Sequence, residues 1–388
     1  MALPISYNIR SLYVRGRVTL LAIGGIALVV AVLIVLVAMA SGFRIALQST
    51  GAPDNAIVVQ RGSTSEMTSG ISRDNVNVIT VDSRVARDSD GNPLASPEMV
   101  VVASLERKHD GFDVNVVVRG VTPMAFKVRN GVRIVEGRNF RPGLYELVVG
   151  RKAFERMSGM ELGRPITLQR RQWTIVGVFE ANGSGFESEI WGDKEAMGPA
   201  FGRGGGSQSV TLRMADPATI RAFNDELQRN PRMQVQAVQE RQYYEQQSGQ
   251  VSGALLALAG FVAVVMGIGA VFGAMNTMYA IVAARTREIG TLRALGFSRM
   301  AVLTAFVLES TCLAAVGGAL GCLVALPANG ISSAAGGANF AEIAFAFRVT
   351  PASIVVGMTL ALLMGIAGGL LPSLRAARIP ITAALREA

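Results

Sequence analysis

Four stretches of this chain offer about twenty residues each with almost no charge: Thr19–Ala40, Gly253–Met278, Ala301–Pro327 and Pro351–Leu371. A helix of about twenty apolar residues covers about 30 Å, the thickness of a bilayer's hydrocarbon layer. Half of the 388 residues are hydrophobic and only 17% are charged, too apolar a balance for an ordinary soluble domain. The spacing predicts a membrane protein with four transmembrane α-helices. Between helices 1 and 2 it leaves about 210 residues, enough for a large extracytoplasmic domain.

The first apolar block ends in Ala38-Met39-Ala40, a pattern like a signal-peptidase site behind Arg10, Arg15 and Arg17. Its core of 22 residues (Thr19–Ala40) exceeds the 7–15 or so of a signal peptide, so a retained helix is expected. The flanking charge sets the orientation. Arg10, Arg15 and Arg17 precede the first block, Arg285, Arg287, Arg293 and Arg299 lie between the second and third, and Arg375, Arg378 and Arg386 follow the fourth. The loop between the third and fourth blocks carries only Arg348. The positive-inside rule then expects cytoplasmic segments at 1–18, 279–300 and 372–388. It expects helices at 19–41, 253–278, 301–327 and 351–371, with a domain at 42–252 and a short loop at 328–350 on the outer side of the membrane, which the resemblance given below makes the periplasm. The net charge of +9 partly flanks membrane helices, and no nucleic-acid partner is expected.

The outside block reads as mixed α/β. Strands are expected at 56–60, 76–80, 99–103, 114–119 and 146–150, where β-branched runs end in polar or glycine turns. Lys152–Met157 suits a short helix, and 165–169 with 173–179 suit a hairpin around Arg170-Arg171. Strands at 209–213 and 234–238 around a helix at 217–229, started by Asp216-Pro217, make a β-α-β unit. The glycine-rich run 201–207 reads as a loop.

Several chemistries are excluded. A Walker loop needs Gly-Lys-Ser/Thr, and none of the lysines, Lys108, Lys127, Lys152 and Lys194, follows a glycine. The one histidine, His109, lies in a polar stretch and supports neither a histidine-rich zinc site nor a histidine triad. Glu180, Glu187, Glu189 and Asp193 read as a turn-rich surface. Cys312 and Cys322, ten residues and about 15 Å apart along one helix, read as buried apolar thiols that cannot bridge. No catalytic residue, metal or bound cofactor is expected.

The membrane half is more specific. GxxxG pairs at Gly269/Gly273, Gly317/Gly321 and Gly365/Gly369 allow close helix contact. Asn276 is placed to hydrogen-bond across helices, and Glu309, inside the third block, calls for a partner. The stretch ARTREIGTLRALGFSRM lies between two apolar walls. As a helix it places Ile289, Leu292 and Gly296 on one side with Leu295 and Phe297 near the edge, and lets Arg285 pair with Glu288. A cytoplasmic amphipathic helix suggests a docking surface.

The run RTREIGTLRALGFSRMAVLTAFVLES (285–310) resembles the segment between the second and third spans of FtsX-like ABC-transporter permeases of the MacB type. The likeness continues through GGALG (317–321) and the tail LPSLRAARIPITAALREA, with Pro372, Ala376, Ala377, Pro380, Ala383 or Ala384, and Leu385 at the family's positions. VEGRNF, ELVVGRKAF and TIVGVFEANGSGFESEIW agree more loosely. The resemblance implies a dimer of four-span subunits in the inner membrane. It implies that a cytoplasmic coupling helix contacts an ABC ATPase whose motion is transmitted to the outer domain. By position Arg285, Arg287, Glu288, Ile289, Gly290, Leu292, Arg293, Leu295 and Gly296 are similar to that helix, and Glu309 to an acidic residue near the start of the third span. Only about eighteen residues precede the first block, so a separate ATPase, holding the ATP and Mg, is implied. The family's outer domain often meets a periplasmic adaptor leading to an outer-membrane duct. Efflux or extraction of a substrate on the outer side is the leading expectation. The alternatives are an FtsX-like activator of cell-wall hydrolases and a LolC- or LolE-like lipoprotein-releasing subunit.

Overall fold

The structure, a computed structural model, describes residues 16–336 and 341–380. Arg10, Arg15, Arg386 and the tail residues Ala383, Ala384 and Leu385 lie outside the described residues. The helices in chain order are α1 (Gly16–Gln48), α2 (Arg73–Thr80), α3 (Ala125–Val128), α4 (Arg151–Arg156), α5 (Lys194–Ala200), α6 (Ile220–Arg229), α7 (Glu240–Ala284), α8 (Thr286–Ala294), α9 (Arg299–Ala325) and α10 (Pro351–Arg378). The strands are β1 (Asn55–Gln60), β2 (Ile71–Ser72), β3 (Ala95–Glu106), β4 (Asp113–Val121), β5 (Arg133–Gly137), β6 (Glu146–Gly150), β7 (Pro165–Leu168), β8 (Arg171–Glu180), β9 (Ile190–Asp193), β10 (Gly206–Ser207), β11 (Ser209–Arg213), β12 (Val235–Gln239), β13 (Ser332–Gly336) and β14 (Glu342–Ala346). The described residues divide into two units: 16–41, 253–331 and 347–380 form one, and 42–252 with 332–336 and 341–346 form the other.

The first unit is helical. Among the described residues four helices are long and apolar enough to cross a membrane: Leu20–Gln48, Glu240–Ala284, Arg299–Ala328 and Pro351–Arg378. At about 1.5 Å per residue the 45 residues of α7 run far beyond one bilayer, so only part of it can lie in hydrocarbon. α1 continues unbroken past Ala38-Met39-Ala40, and the Ala38 carbonyl accepts a hydrogen bond from the Arg348 amide at 3.1 Å. α10 starts on a capping box, in which Thr350 and Ser353 each hydrogen-bond the other's backbone amide. Ile26, Val30 and Ile34 of α1 pack with Ala314 of α9 and with Ala361 and Met364 of α10.

Glycines let these helices approach. A Cβ at Gly317 would lie 3.0 Å from the Ile23 carbonyl oxygen, and one at Gly321 would lie 2.6 Å from that of Ala27. Both face α1. Cβ atoms at Gly365 and Gly369 would collide with Ala314 and with the Ser310 hydroxyl on α9. That hydroxyl donates to the Gly365 carbonyl at 2.9 Å, an interhelical bond such a close approach permits. Gly269 and Gly273 differ, with nothing within 4 Å of either added Cβ. Cys312 is exposed and Cys322 half-buried, both as free thiols. Both lie within the apolar helix α9, Cys312 on its outer surface.

The second unit is mixed α/β. Ten of the described strands make one sheet in the order β12-β1-β11-β3-β4-β9-β6-β8-β5, with β7 paired to β8. Two cores lie on it. Val58, Val210, Leu212 and Val235 pack with Ile79 of α2 and Phe223 of α6. Val118, Leu147, Val149, Trp173 and Ile175 pack with Ala153 of α4 and Met197 of α5. β11 and β12 run parallel on either side of β1, to which both are antiparallel, so the β-α-β unit is split by an inserted strand. Gln169 and Arg170 take left-handed φ values of 49° and 63° in the two-residue β7–β8 turn.

Two expectations fail here. Val76–Thr80 is helical, within α2, not a strand. Ser72 caps the helix by accepting from the Asn75 amide, Asp74 lies in the first turn, and Val76 and Ile79, three apart, are both buried. The segment 328–350 is more than a loop: it carries the β13–β14 hairpin, which belongs with the α/β unit. Phe345 meets Phe43 edge-on at 5.5 Å, and the Ala344 amide donates to Ser188 Oγ at 2.9 Å.

Candidate functional site

Two arrangements of charge stand out, one in each unit. In the helical unit α7 ends at Ala284 and α8 begins at Thr286, with Arg285 at the break. Its guanidinium Nη1 lies 2.9 Å from a carboxylate oxygen of Glu309 on α9, and its Nε lies 3.7 Å from Glu288. Glu309 is 3% exposed, so this ion pair is screened by protein and depends on both partners. The Arg285 guanidinium also stands 6.0 Å from the Phe306 ring.

Ile289 is buried among Met278, Val282, Val302 and Phe306, and Gly290 is buried beside it. Leu292 and Arg293 are half-buried, whereas Arg287 and Glu288 are exposed and Leu295 is 73% exposed. Gly296 lies past the end of α8, not on its apolar side, at φ 95°. There the Gly296 amide donates to Arg293 and the Phe297 amide to Leu292, a Schellman ending for which glycine is suited. Ser298 then caps α9 by accepting from the Ala301 amide at 3.1 Å. The apolar side of α8 is therefore largely taken up by this chain's own helices. Asn276 faces outward, and its side chain makes no hydrogen bond among the described residues, so the expected cross-helix bond is not formed. Thr277 beside it is buried instead and donates to Gly273.

The second arrangement lies in the middle of the sheet and was not expected. Arg119, within the apolar run of β4, is 1% exposed and touches three carboxylates. Its Nε donates to Glu189 at 2.7 Å, its Nη1 to Glu66 at 2.8 Å and to Glu98 at 2.9 Å, and its Nη2 to Glu189 at 2.8 Å. Arg129, after α3, also grips both oxygens of Glu98, with Nε 3.1 Å from Glu240 and Nη2 2.8 Å from the Thr211 hydroxyl. Neutral groups complete the set. Ser209 and Tyr244 donate to Glu66, Trp191 Nε1 donates to Glu189, and Asn55 donates to Glu240. The Phe186 ring faces both guanidiniums, at 5.4 Å and 4.7 Å.

Four carboxylates and two guanidiniums thus share one buried cluster that links strands of both cores. Burial pushes the Glu66 carboxyl up, but the Arg119 guanidinium and the Ser209 hydroxyl outweigh it, and the group sits below its ordinary value. Burial disfavours the Arg119 cation, yet Glu189 and Glu66 hold it well above its ordinary value. A cavity of about 40 Å³ adjoins Glu66, Arg119, Glu189 and Tyr244, room for a water or two. The cluster corrects the reading of the acidic run as surface: Glu187, Glu189 and Asp193 are buried, and only Glu180 stays half-exposed. A charge inside the β-branched run Val116–Val121 was the available signal. The partners of Arg119 are 21 to 70 residues away in sequence, so no local spacing identifies them.

Two family models match the chain: the MacB-like periplasmic core domain over residues 19–230, more than half of its length, and the FtsX-like permease C-terminal over 260–381. The chain belongs to the MacB-type, FtsX-like permeases. The macrolide export ATP-binding/permease protein MacB of Bordetella avium is 26% identical over 317 residues, 75% of this chain and 46% of that protein. The permease thus spans about half the length of the MacB relatives it matches. YknZ of Bacillus subtilis, described as an uncharacterized ABC transporter permease, is 25% identical over 303 residues, 73% of each chain. The crystal structure of the periplasmic region of MacB from Actinobacillus actinomycetemcomitans aligns with 50% of this chain and 92% of its own, at 12% identity and a TM-score of 0.39.

Proposed function

We propose that this permease is the membrane-spanning subunit of an inner-membrane ABC transporter, and that ATP with Mg is bound and hydrolysed by a partner ATPase docking on α8. The single observation that carries this reading is how α8 is held. Its buried side is anchored by Ile289 and by the Arg285–Glu309 ion pair, while Arg287, Glu288 and Leu295 project away from the chain's own core. A short helix fixed at its root and bare on its outer side transmits a push to α9 with little slack. In this reading α8 is cytoplasmic, following the arginine bias of its flanks, and the α/β domain is periplasmic. Force delivered to α9 serves efflux or extraction of a substrate on the outer side. A second copy of the permease packs on the α7 face that carries Gly269 and Gly273, which no helix among the described residues covers closely.

The test is co-purification of the full-length permease with the ABC ATPase it retains from native membranes. Arg287→Glu and Leu295→Asp are expected to lower ATPase recovery by about tenfold, the effect of losing about 1.4 kcal/mol at an interface, while the permease still inserts. Undiminished recovery and unchanged ATP turnover in both variants refute the docking role.

A further inference from the structure

A second cavity, of about 490 Å³, opens in the α/β unit where the β3–β4 turn, the end of α4 and strand β13 meet. Its basic wall is built on backbone pairing. The Lys108 amide donates to the Arg156 carbonyl at 2.8 Å, the Ser158 amide donates to Glu106 at 2.8 Å, and Arg107 bridges Met157. Arg107, Lys108 and Arg156 are thereby brought side by side. Glu342 of β14 holds both guanidiniums, with one oxygen 3.3 Å from Arg107 Nη2 and the other 2.8 Å from Arg156 Nη2. Asp110 holds the other end of Arg107 at 2.6 Å.

These contacts leave donors unfilled. Each guanidinium has five N–H groups, and among the described residues these carboxylates take two from Arg107 and one from Arg156; the Nε of both is buried, so the donors left for a ligand are on the terminal nitrogens. Lys108 Nζ donates to the Phe154 carbonyl at 2.9 Å and makes no carboxylate pair among the described residues. Ser332 and Ser333 of β13 add hydroxyls to the lining, which also includes His109 and the exposed Glu155. The ordinary alternative is a set of solvated ion pairs. Against it stands the geometry: two guanidiniums locked by one shared carboxylate, a third cation beside them, and a cavity of ligand size. Planar guanidinium donors match the oxygens of a tetrahedral oxyanion, which an ammonium and hydroxyls complete.

We propose that this cavity binds a phosphate-bearing ligand, a phosphate ester or free phosphate, through Arg107, Lys108 and Arg156. The site is independent of ATPase docking at α8. The test uses the full-length permease in phosphatidylcholine nanodiscs. Binding of radiolabelled orthophosphate is measured by equilibrium dialysis against chloride of equal ionic strength, and retention of added phosphatidic acid by native mass spectrometry. Lys108→Gln and Arg156→Gln should each weaken binding by about tenfold or more, the loss of one charge-assisted bond, while Lys127→Gln on another surface should not. Lys108 is exposed, so its variant keeps the test valid should Arg156→Gln misfold. Variant-sensitive orthophosphate binding supports the site with a free phosphate as ligand. Variant-sensitive retention of phosphatidic acid without orthophosphate binding supports it with a lipid headgroup as the source. Retention of neither above the chloride control, or equal retention by wild type and Lys108→Gln, overturns the proposal.

Discussion

Replacing Arg119 with methionine tests the buried cluster most directly. Methionine keeps much of the side-chain length and removes the charge. Glu66 and Glu189 then lose their main cation, and Glu98 keeps only Arg129. Breaking a buried pair from one side costs about 3–5 kcal/mol, because a charge is stranded away from water. Against a typical total of about 5–15 kcal/mol, that is a large share of the stability. Chemical unfolding of the detergent-solubilised permease, followed by tryptophan fluorescence, reads it out. Trp191 is fully buried, bonded to Glu189 and packed against Phe186, so its emission reports on the cluster. Arg133→Met, which breaks an exposed pair with Glu180, should stay within about 1 kcal/mol.

The pH dependence adds a second check. In the wild type the Glu66 carboxyl lies below its ordinary value of 4.5. Its contribution is therefore present above that value and is lost as pH falls through the folded value. Without Arg119, burial dominates and the carboxyl rises, so protonation relieves the stranded charge. The deficit of Arg119→Met should accordingly be largest near neutral pH and shrink towards about pH 5. Adding Glu66→Gln and Glu189→Gln should recover part of the loss in a mutant cycle. A deficit below about 1 kcal/mol at neutral pH, or one that grows on acidification, would refute this account of the cluster.

Three further outcomes are expected. Glu309→Gln keeps a hydrogen-bonding group but removes the charge facing Arg285, and should lower ATP turnover by the permease–ATPase complex severalfold without loss of insertion; unchanged turnover would make the pair incidental to coupling. Gly365→Val forces a side chain against Ala314 and should destabilise the helical unit by about 1–3 kcal/mol, whereas Gly269→Val meets open space and should instead weaken self-association, measured by crosslinking. With Cys312 and Cys322 replaced by serine, a cysteine at Ser63 should react with an impermeant maleimide in whole cells and one at Ser298 should not; the reverse labelling contradicts the orientation.

Much of the helical unit was legible because its signals are local. Apolar runs of about twenty residues announce helices, GxxxG spacing puts Gly317, Gly321, Gly365 and Gly369 on packing faces, and Glu309 among apolar residues called for a partner. The misses share the opposite property. Val76–Thr80 looked like a strand because β-branched residues outweighed a serine cap, and the burial of Val76 and Ile79 together decided for the helix. Glu187 and Glu189 looked solvated because their burial depends on Lys152 in α4 and Arg119 in β4.

The sequence by itself determined the four apolar helices, the mixed α/β insertion, the family, and the short charged helix between two apolar walls. Each rests on periodicity, composition or a run of neighbouring residues, which survive without knowledge of the fold. Only the tertiary structure decided which charges are buried together, which glycines touch a neighbour, and that a hairpin from between α9 and α10 completes the α/β unit. A buried guanidinium is stable only where several distant carboxylates converge on it, and convergence is a property of the folded chain.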